Sequence, residues 1–186
     1  YSVEFARMGF DAVGVEVRDN NFSACQYVKA RTDLPNLEFF QDNAWNIGKY
    51  GTFDVVFCCG LLYHLDRPRE FLETLSGVTR KLLILQTHFS IASSGFVPDF
   101  PMYFRLPIRP LSRLFKVGGG ASKFTLSRLT VNESVQGRWY REYLTSAGLK
   151  KRENARWASW DNRRSFWIRR EFLLQAIQDA GFDLVF

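Results

Sequence analysis

The first ninety residues alternate between short apolar runs and stretches of helical period, and that rhythm constrains the fold more than any other feature of the chain. Residues 12–17 (AVGVEV) set valines at every second position, and residues 37–40 (LEFF), 53–59 (FDVVFCC) and 81–87 (KLLILQT) are equally apolar. Each reads as a strand buried on both faces. Between them, residues 20–30 put Phe22, Cys25 and Val28 on one helical side, with Asn20 as the expected N-cap. Residues 68–76 direct Phe71, Leu72 and Leu75 inward behind Pro68, and residues 2–8 form a helix stopped by Gly9. The predicted fold is α/β, with a doubly wound, mostly parallel sheet covered by helices on both faces.

Residues 88–168 break the rhythm. Prolines at 98, 101, 107 and 110, the triplet Gly118-Gly119-Gly120 and scattered Trp and Arg suggest a long, lid-like insertion after the fourth strand. Alternation resumes at residues 169–180, a helix with Phe172, Leu173, Ala176 and Ile177 on one face, then Gly181 and a strand over residues 182–186. The expected organisation is one domain over residues 1–186: a first half (1–90), an insertion (91–168) and a closing helix and strand (169–186).

Charge divides along the same line. Residues 1–90 carry nine Lys and Arg against eleven Asp and Glu, whereas residues 91–186 carry sixteen against eight, twelve of the sixteen being Arg. A forked guanidinium suits phosphate and carboxylate, so the basic half points either to an anionic substrate or RNA, or to a solubility property with no partner. Three cysteines (Cys25, Cys58, Cys59) suit a reducing compartment better than a disulfide framework. The longest uncharged stretch, residues 82–98, is interrupted by polar side chains and does not supply the ~20 apolar residues of a membrane span. The opening Tyr1-Ser2-Val3-Glu4 has neither region of a signal peptide. The expectation is a cytoplasmic protein, monomeric by default, without a membrane partner or a metal.

Ligands of an open parallel sheet bind beyond the carboxyl ends of its strands. Those ends hold Glu16, Asp42 and the turn Cys58-Cys59-Gly60, which leads to Tyr63 and His64. Each has a plain alternative: a capping carboxylate, or small apolar packing.

Taken in order, Gly14-Val15-Glu16, Phe40-Gln41-Asp42-Asn43 and FDVVFCCGLLYHLDRP (residues 53–68) resemble a class I, Rossmann-like S-adenosylmethionine-dependent methyltransferase. GLLYHLDRP is similar to the stretch that follows the fourth strand of that superfamily, and residues 165–186 are similar to its final helix and Gly-Phe strand. Both stretches are locally similar to the tRNA wobble-uridine carboxymethyl transferase branch. The resemblance implies S-adenosylmethionine as cofactor. It places Glu16 and Val17 beside the ribose, Asp42 and Asn43 at the adenine, and Cys59 and Gly60 along the sulfonium side. Tyr63 and His64 then fall near the methyl acceptor, which is a small molecule, a sugar or RNA.

His64 reads equally as a proton acceptor or as a backbone-bonded structural residue, and His88 as packing beneath the insertion. In the insertion, Trp139, Tyr140, Trp160, Arg163 and Arg164 are the candidate substrate residues, set against the alternative that two tryptophans roof the sheet. The superfamily's glycine-rich turn after the first strand has no counterpart here, and residues 1–6 look like the helix that follows it. The expectation is therefore a fragment incomplete at both ends, lacking its first strand, which alone would bind cofactor weakly and fold poorly. The rival readings are a non-catalytic or NAD-binding module of the same fold, and a tRNA-modifying or RNA-binding protein using its basic half.

Overall fold

Gly9 ends the opening helix in the left-handed region (φ +91°), and the turn behind it delivers the chain to its first strand. A computed structural model describes residues 1–92, 126–143, 148–155 and 158–183. These fall into two units, Tyr1–Gly51 and Thr52–Phe186.

The first unit runs α1 (Ser2–Arg7), β1 (Ala12–Val15), α2 (Asp19–Lys29), β2 (Leu37–Phe40) and a 3-10 helix (Ala44–Tyr50). Strands β1 and β2 are parallel, in a register that sets Ala12 opposite Leu37 and Val15 opposite Phe40. Asn36 pins the entry to this pair: its side-chain amide donates to the carbonyls of Ala6 and Phe10, both at 2.8 Å, and its own carbonyl accepts from Ala12 N–H. The Phe39 ring lies 2.6 Å from where a Cβ on Gly14 would sit, so this close approach requires glycine. Helix α2 starts at Asp19, with Arg18 rather than the expected Asn20 at its N-cap. Asp19 in the first turn favours that earlier start through the helix dipole.

The second unit comprises β3 (Phe53–Cys59), a 3-10 helix (Leu62–His64), α3 (Pro68–Val78), β4 (Thr79–Gln86), β5 (Thr130–Asn132), β6 (Val135–Arg141), α4 (Leu149–Asn154), β7 (Arg164–Ile168) and α5 (Arg170–Asp179). Strands β3 and β4 are parallel, from Val55 opposite Leu82 to Cys59 opposite Gln86, and α3 makes the crossover that such a pair needs. Pro68 opens α3, which buries Phe71, Leu72, Leu75 and Val78. Each buried side chain of that size contributes about 1.5–3 kcal/mol relative to exposure.

The structure departs from a mostly parallel sheet with a lid-like insertion. Residues of the supposed insertion form a three-stranded antiparallel sheet in the order β5-β6-β7. A two-residue loop, Glu133 and Ser134, closes its hairpin with φ of +50° and +65°, the backbone that matches strand twist in tight hairpins. The sheet is not detached from the parallel part: Phe166 N–H donates to Leu65 O at 2.8 Å and Ser90 N–H to Ile168 O at 2.9 Å. Helix α5 buries Leu173, Ala176 and Ile177 as expected. Phe172, expected on the same face, stays exposed, with the Arg169 guanidinium over its ring.

Helix α3 is capped from a distance. Its N-cap residue, Arg67, provides no side-chain acceptor. Instead the Glu133 carboxylate, on the β5–β6 loop, accepts from Arg69 N–H at 3.0 Å and Glu70 N–H at 2.9 Å. The prolines at 98–110, Gly118–Gly120 and Trp157 lie outside the described residues, as does most of the strand expected at 182–186. Among the described residues, no helix is long and apolar enough to cross a membrane.

Candidate active site

Glu16 follows β1, and its carboxylate is fixed locally: Oε1 accepts from Arg18 N–H at 2.8 Å and Oε2 from the Asn21 amide at 3.2 Å. A carboxylate offers about four acceptor directions, so an oriented group with room for two hydroxyls remains. That fits a ribose. Val17, next to it, is half-buried.

Asp42, after β2, is already committed. Oδ1 accepts from Asn43 N–H (2.7 Å) and the Asn46 amide (2.6 Å), while Oδ2 accepts from Lys49 Nζ (3.1 Å) and Tyr50 Oη (2.9 Å). These donors, the Asn46 amide foremost, hold its carboxyl well below the usual carboxylate range. Asn43 in turn caps the 3-10 helix, its Oδ1 accepting from Trp45 N–H. An adenine amine would have to displace one of the four donors, and Lys49, on an exposed side chain, is the easiest to displace.

In the second unit, β3 ends at Cys58 and Cys59. Cys58 is buried, and burial pushes its thiol up to about 12, so it packs as a small apolar group. Gly60 has φ +74°, and a Cβ there would lie 3.8 Å from Tyr63 Oη. The turn that would line a cofactor is thus adjacent to a side chain expected on the acceptor side.

The centre of this unit is a carboxylate that sequence reading missed. Glu142, just past β6, is 1% exposed. Its Oε1 meets His64 Nδ1 at 2.9 Å and accepts from Ser165 Oγ at 2.7 Å. Its Oε2 accepts from Ser159 N–H at 3.1 Å. Burying a carboxylate costs several kcal/mol unless its lone pairs are met, and these three partners meet them. The partner of His64 is therefore a carboxylate rather than a backbone group. The backbone behind it is held as well, with the Asn162 amide donating to His64 O and Trp167 Nε1 to Tyr63 O.

Around the pair lies an aromatic face. Tyr63 contacts His64 and His88 at centroid distances of 4.3 and 4.2 Å. Trp167 forms the floor, stacked by His88 at 5.1 Å and Tyr140 at 5.0 Å. Burial first, and then the Glu142 charge, raises both phenols, Tyr140 to about 12. At neutral pH they are donors, not bases.

Strand parity splits the remaining candidates. Tyr140 and Glu142 point to the dyad side of the β6–β7 ribbon, together with Ser165 and Trp167, whereas Trp139, Arg141, Arg164 and Phe166 point to the other. Contacts agree: Trp139 packs edge-on against Phe166 at 5.1 Å, and the Arg164 guanidinium sits over Trp139 at 5.1 Å. That second side forms a groove of about 580 Å³ lined by Asp66, Trp139, Arg141, Asp161, Arg163 and Arg164. The structure thus brings Trp139, Arg163 and Arg164 together and sets Tyr140 apart from them, with His64 and Tyr63. Trp160 is half-buried at a bend between β6 and β7.

Comparison with known proteins agrees with this architecture. Residues 1–83 match the model of a family described as a methyltransferase domain. The fold is similar to that of the N-terminal domain of EvdMO1 with SAH bound: TM-score 0.60 and 21% identity, covering 91% of this chain and 54% of that one. The same domain in the presence of SAH and D-fucose gives a TM-score of 0.59 at 21% identity, covering 91% and 55%. The chain spans about half the length of these solved chains. No curated protein matches it.

Proposed function

We propose that the protein is an S-adenosylmethionine-dependent methyltransferase. The observation that carries the reading is the methyltransferase-domain match over residues 1–83, which indicates S-adenosylmethionine as the cofactor; the fold likeness to SAH-bound domains supports it. When bound, the cofactor supplies an electrophilic methyl group on a sulfonium. What the chain must do is hold and align. Glu16 takes the two ribose hydroxyls, with Val17 beside it; Asp42 and Asn43 shape the adenine end; Cys59 and Gly60 line the sulfonium side. Tyr63 and His64 face the acceptor, whose alignment supplies most of the rate. The finer likeness to the wobble-uridine branch is carried by GLLYHLDRP and the final helix alone.

Titration with S-adenosylhomocysteine tests the reading. Glu16→Ala removes two charge-assisted hydrogen bonds of about 1.5–3 kcal/mol each at most, and partial exposure lowers this to a 10–100-fold rise in Kd. Tight NADH binding without S-adenosylhomocysteine binding would favour the oxidoreductase alternative. The groove of Trp139, Arg141, Arg163 and Arg164 favours a second reading, contact with RNA phosphates. RNA binding through it weakens steeply with salt, and retention indifferent to ionic strength rejects that reading.

A further inference from the structure

We propose that the acceptor is a neutral sugar-type hydroxyl, that His64 is the base that takes its proton, and that Glu142 is the positioning residue that makes His64 competent. The inference rests on the methyltransferase reading and adds the acceptor class to it.

A neutral alcohol is a poor nucleophile until its proton leaves, whereas an amine attacks with its lone pair and needs no base in place. The second unit supplies a base of the right kind. With Glu142 at Nδ1, the imidazole carries its proton there and leaves Nε2 as the acceptor, the division of roles seen wherever a carboxylate backs a catalytic histidine. Among the described residues, Nε2 has no hydrogen-bond partner. The His64 side chain is 18% exposed while Glu142 is 1% exposed, so one end of the pair reaches solvent and the other is sealed. Ser165 and Ser159 hold the carboxylate so that it cannot swing away. Tyr63 and Tyr140 beside the pair are half-buried, Tyr63 packed against His64 and His88 and Tyr140 stacked on Trp167, so the base sits in an aromatic environment of the kind that packs against sugar rings.

In the step itself, the hydroxyl oxygen bonds the methyl carbon as that carbon's bond to sulfur breaks. The bonding pair stays on sulfur, which becomes a neutral thioether. The O–H proton passes to His64 Nε2, and solvent removes it afterwards. A free sugar and the ribose of an RNA offer this same hydroxyl.

Two measurements test the proposal. The first needs no cofactor: nitrogen NMR of the imidazole should find His64 protonated at Nδ1 and bare at Nε2, identified by its loss in His64→Ala. Glu142→Gln would turn an amide N–H toward Nδ1 and reverse the tautomer. A His64 protonated at Nε2 in the unaltered protein overturns the proposal. The second measures methyl transfer from S-adenosylmethionine to methyl glucoside and methyl rhamnoside, and in parallel to bulk tRNA. An O-methyl glycoside identifies a free sugar as the source, and alkali-resistant dinucleotides identify RNA ribose. His64→Ala should lower kcat by about 10²–10⁴-fold with KM nearly unchanged, and added imidazole should restore part of it. Because Glu142→Gln can fail to fold, the partly exposed His64 carries the decisive variant. An N-methyl product, an unchanged kcat in His64→Ala, or no transfer to either probe by protein that binds S-adenosylhomocysteine overturns the proposal alone. Failure to bind S-adenosylhomocysteine overturns the methyltransferase reading and this proposal with it.

Discussion

Replacing Glu133 with Ala should destabilise the second unit by about 1 kcal/mol, in the range of a lost helix N-cap. Two hydrogen bonds from Arg69 and Glu70 N–H to a carboxylate would amount to ~3–6 kcal/mol if each contributed fully. The Glu133 carboxyl, however, is raised above its ordinary 4.5, chiefly by burial and in part by the Glu70 charge. Desolvation therefore outweighs those bonds in the balance between the ionised and protonated forms, and the net gain stays near that of a neutral cap. The backbone term cancels, because Ala is as strained as Glu at φ +50°. Urea denaturation should report the loss, and for a chain of 186 residues the midpoint temperature should fall by roughly 2–4 °C. A pH series adds a sign. A carboxyl raised in the folded state contributes stability that is complete below pH 4.5 and lost as pH rises through the folded value. The margin of the unaltered protein over Glu133→Gln should thus shrink from pH 4 to pH 7. A loss under ~0.3 kcal/mol in Glu133→Ala refutes the capping argument, and a margin that grows with pH refutes the claim that desolvation outweighs the two bonds.

Two further outcomes concern the same unit. A Cβ on Gly137 would lie 2.4 Å from Trp167 O, a backbone atom that cannot move aside, so Gly137→Ala should cost about 3 kcal/mol in urea denaturation and break the β6–β7 ladder; a neutral result would mean the ribbon shifts freely. The Cys58 thiol, pushed up to about 12 by burial, should resist aromatic disulfide reagents at pH 8 until the protein unfolds. Its folded value lies above the unfolded 9.0, so its contribution to stability declines as pH rises past 9. Prompt reaction of Cys58 in the native protein contradicts this.

What the sequence discloses is uneven for physical reasons. Strands β1 to β4 are legible as near-continuous apolar runs bounded by turn residues, although the expected burial on both faces does not hold for β4, where Leu82 and Ile84 stay exposed. Strands β6 (VQGRWYR) and β7 (RSFWI) are not legible, because their two faces carry different polar chemistry and no valine alternation announces them. Helix α3 is plain from Phe71, Leu72 and Leu75, yet its cap lies 66 residues beyond Arg67. Glu16 and His64 stand in recognisable motifs. Glu142 is one acid in an Arg-rich stretch and reads as a solvated surface charge. Only the pairing of β6 with β7 turns it inward, 78 positions from its histidine. For Asp42 the motif is visible, but the four donors that saturate it are not.

The two-sided ribbon also determines what kinds of sequence drift this protein can tolerate. Because neighbouring positions on β6 serve opposite sides, substitutions at Trp139 or Arg141 can reshape the groove while Tyr140 and Glu142 go untouched, so the two surfaces are free to diversify separately. Gain or loss of a single residue in the ribbon has no such freedom. It would exchange the two sides wholesale, presenting Arg141 to His64 and Glu142 to the groove. The tight loop at Glu133 and Ser134 is thus a phase marker: by keeping count along the hairpin, it decides which chemistry meets which ligand.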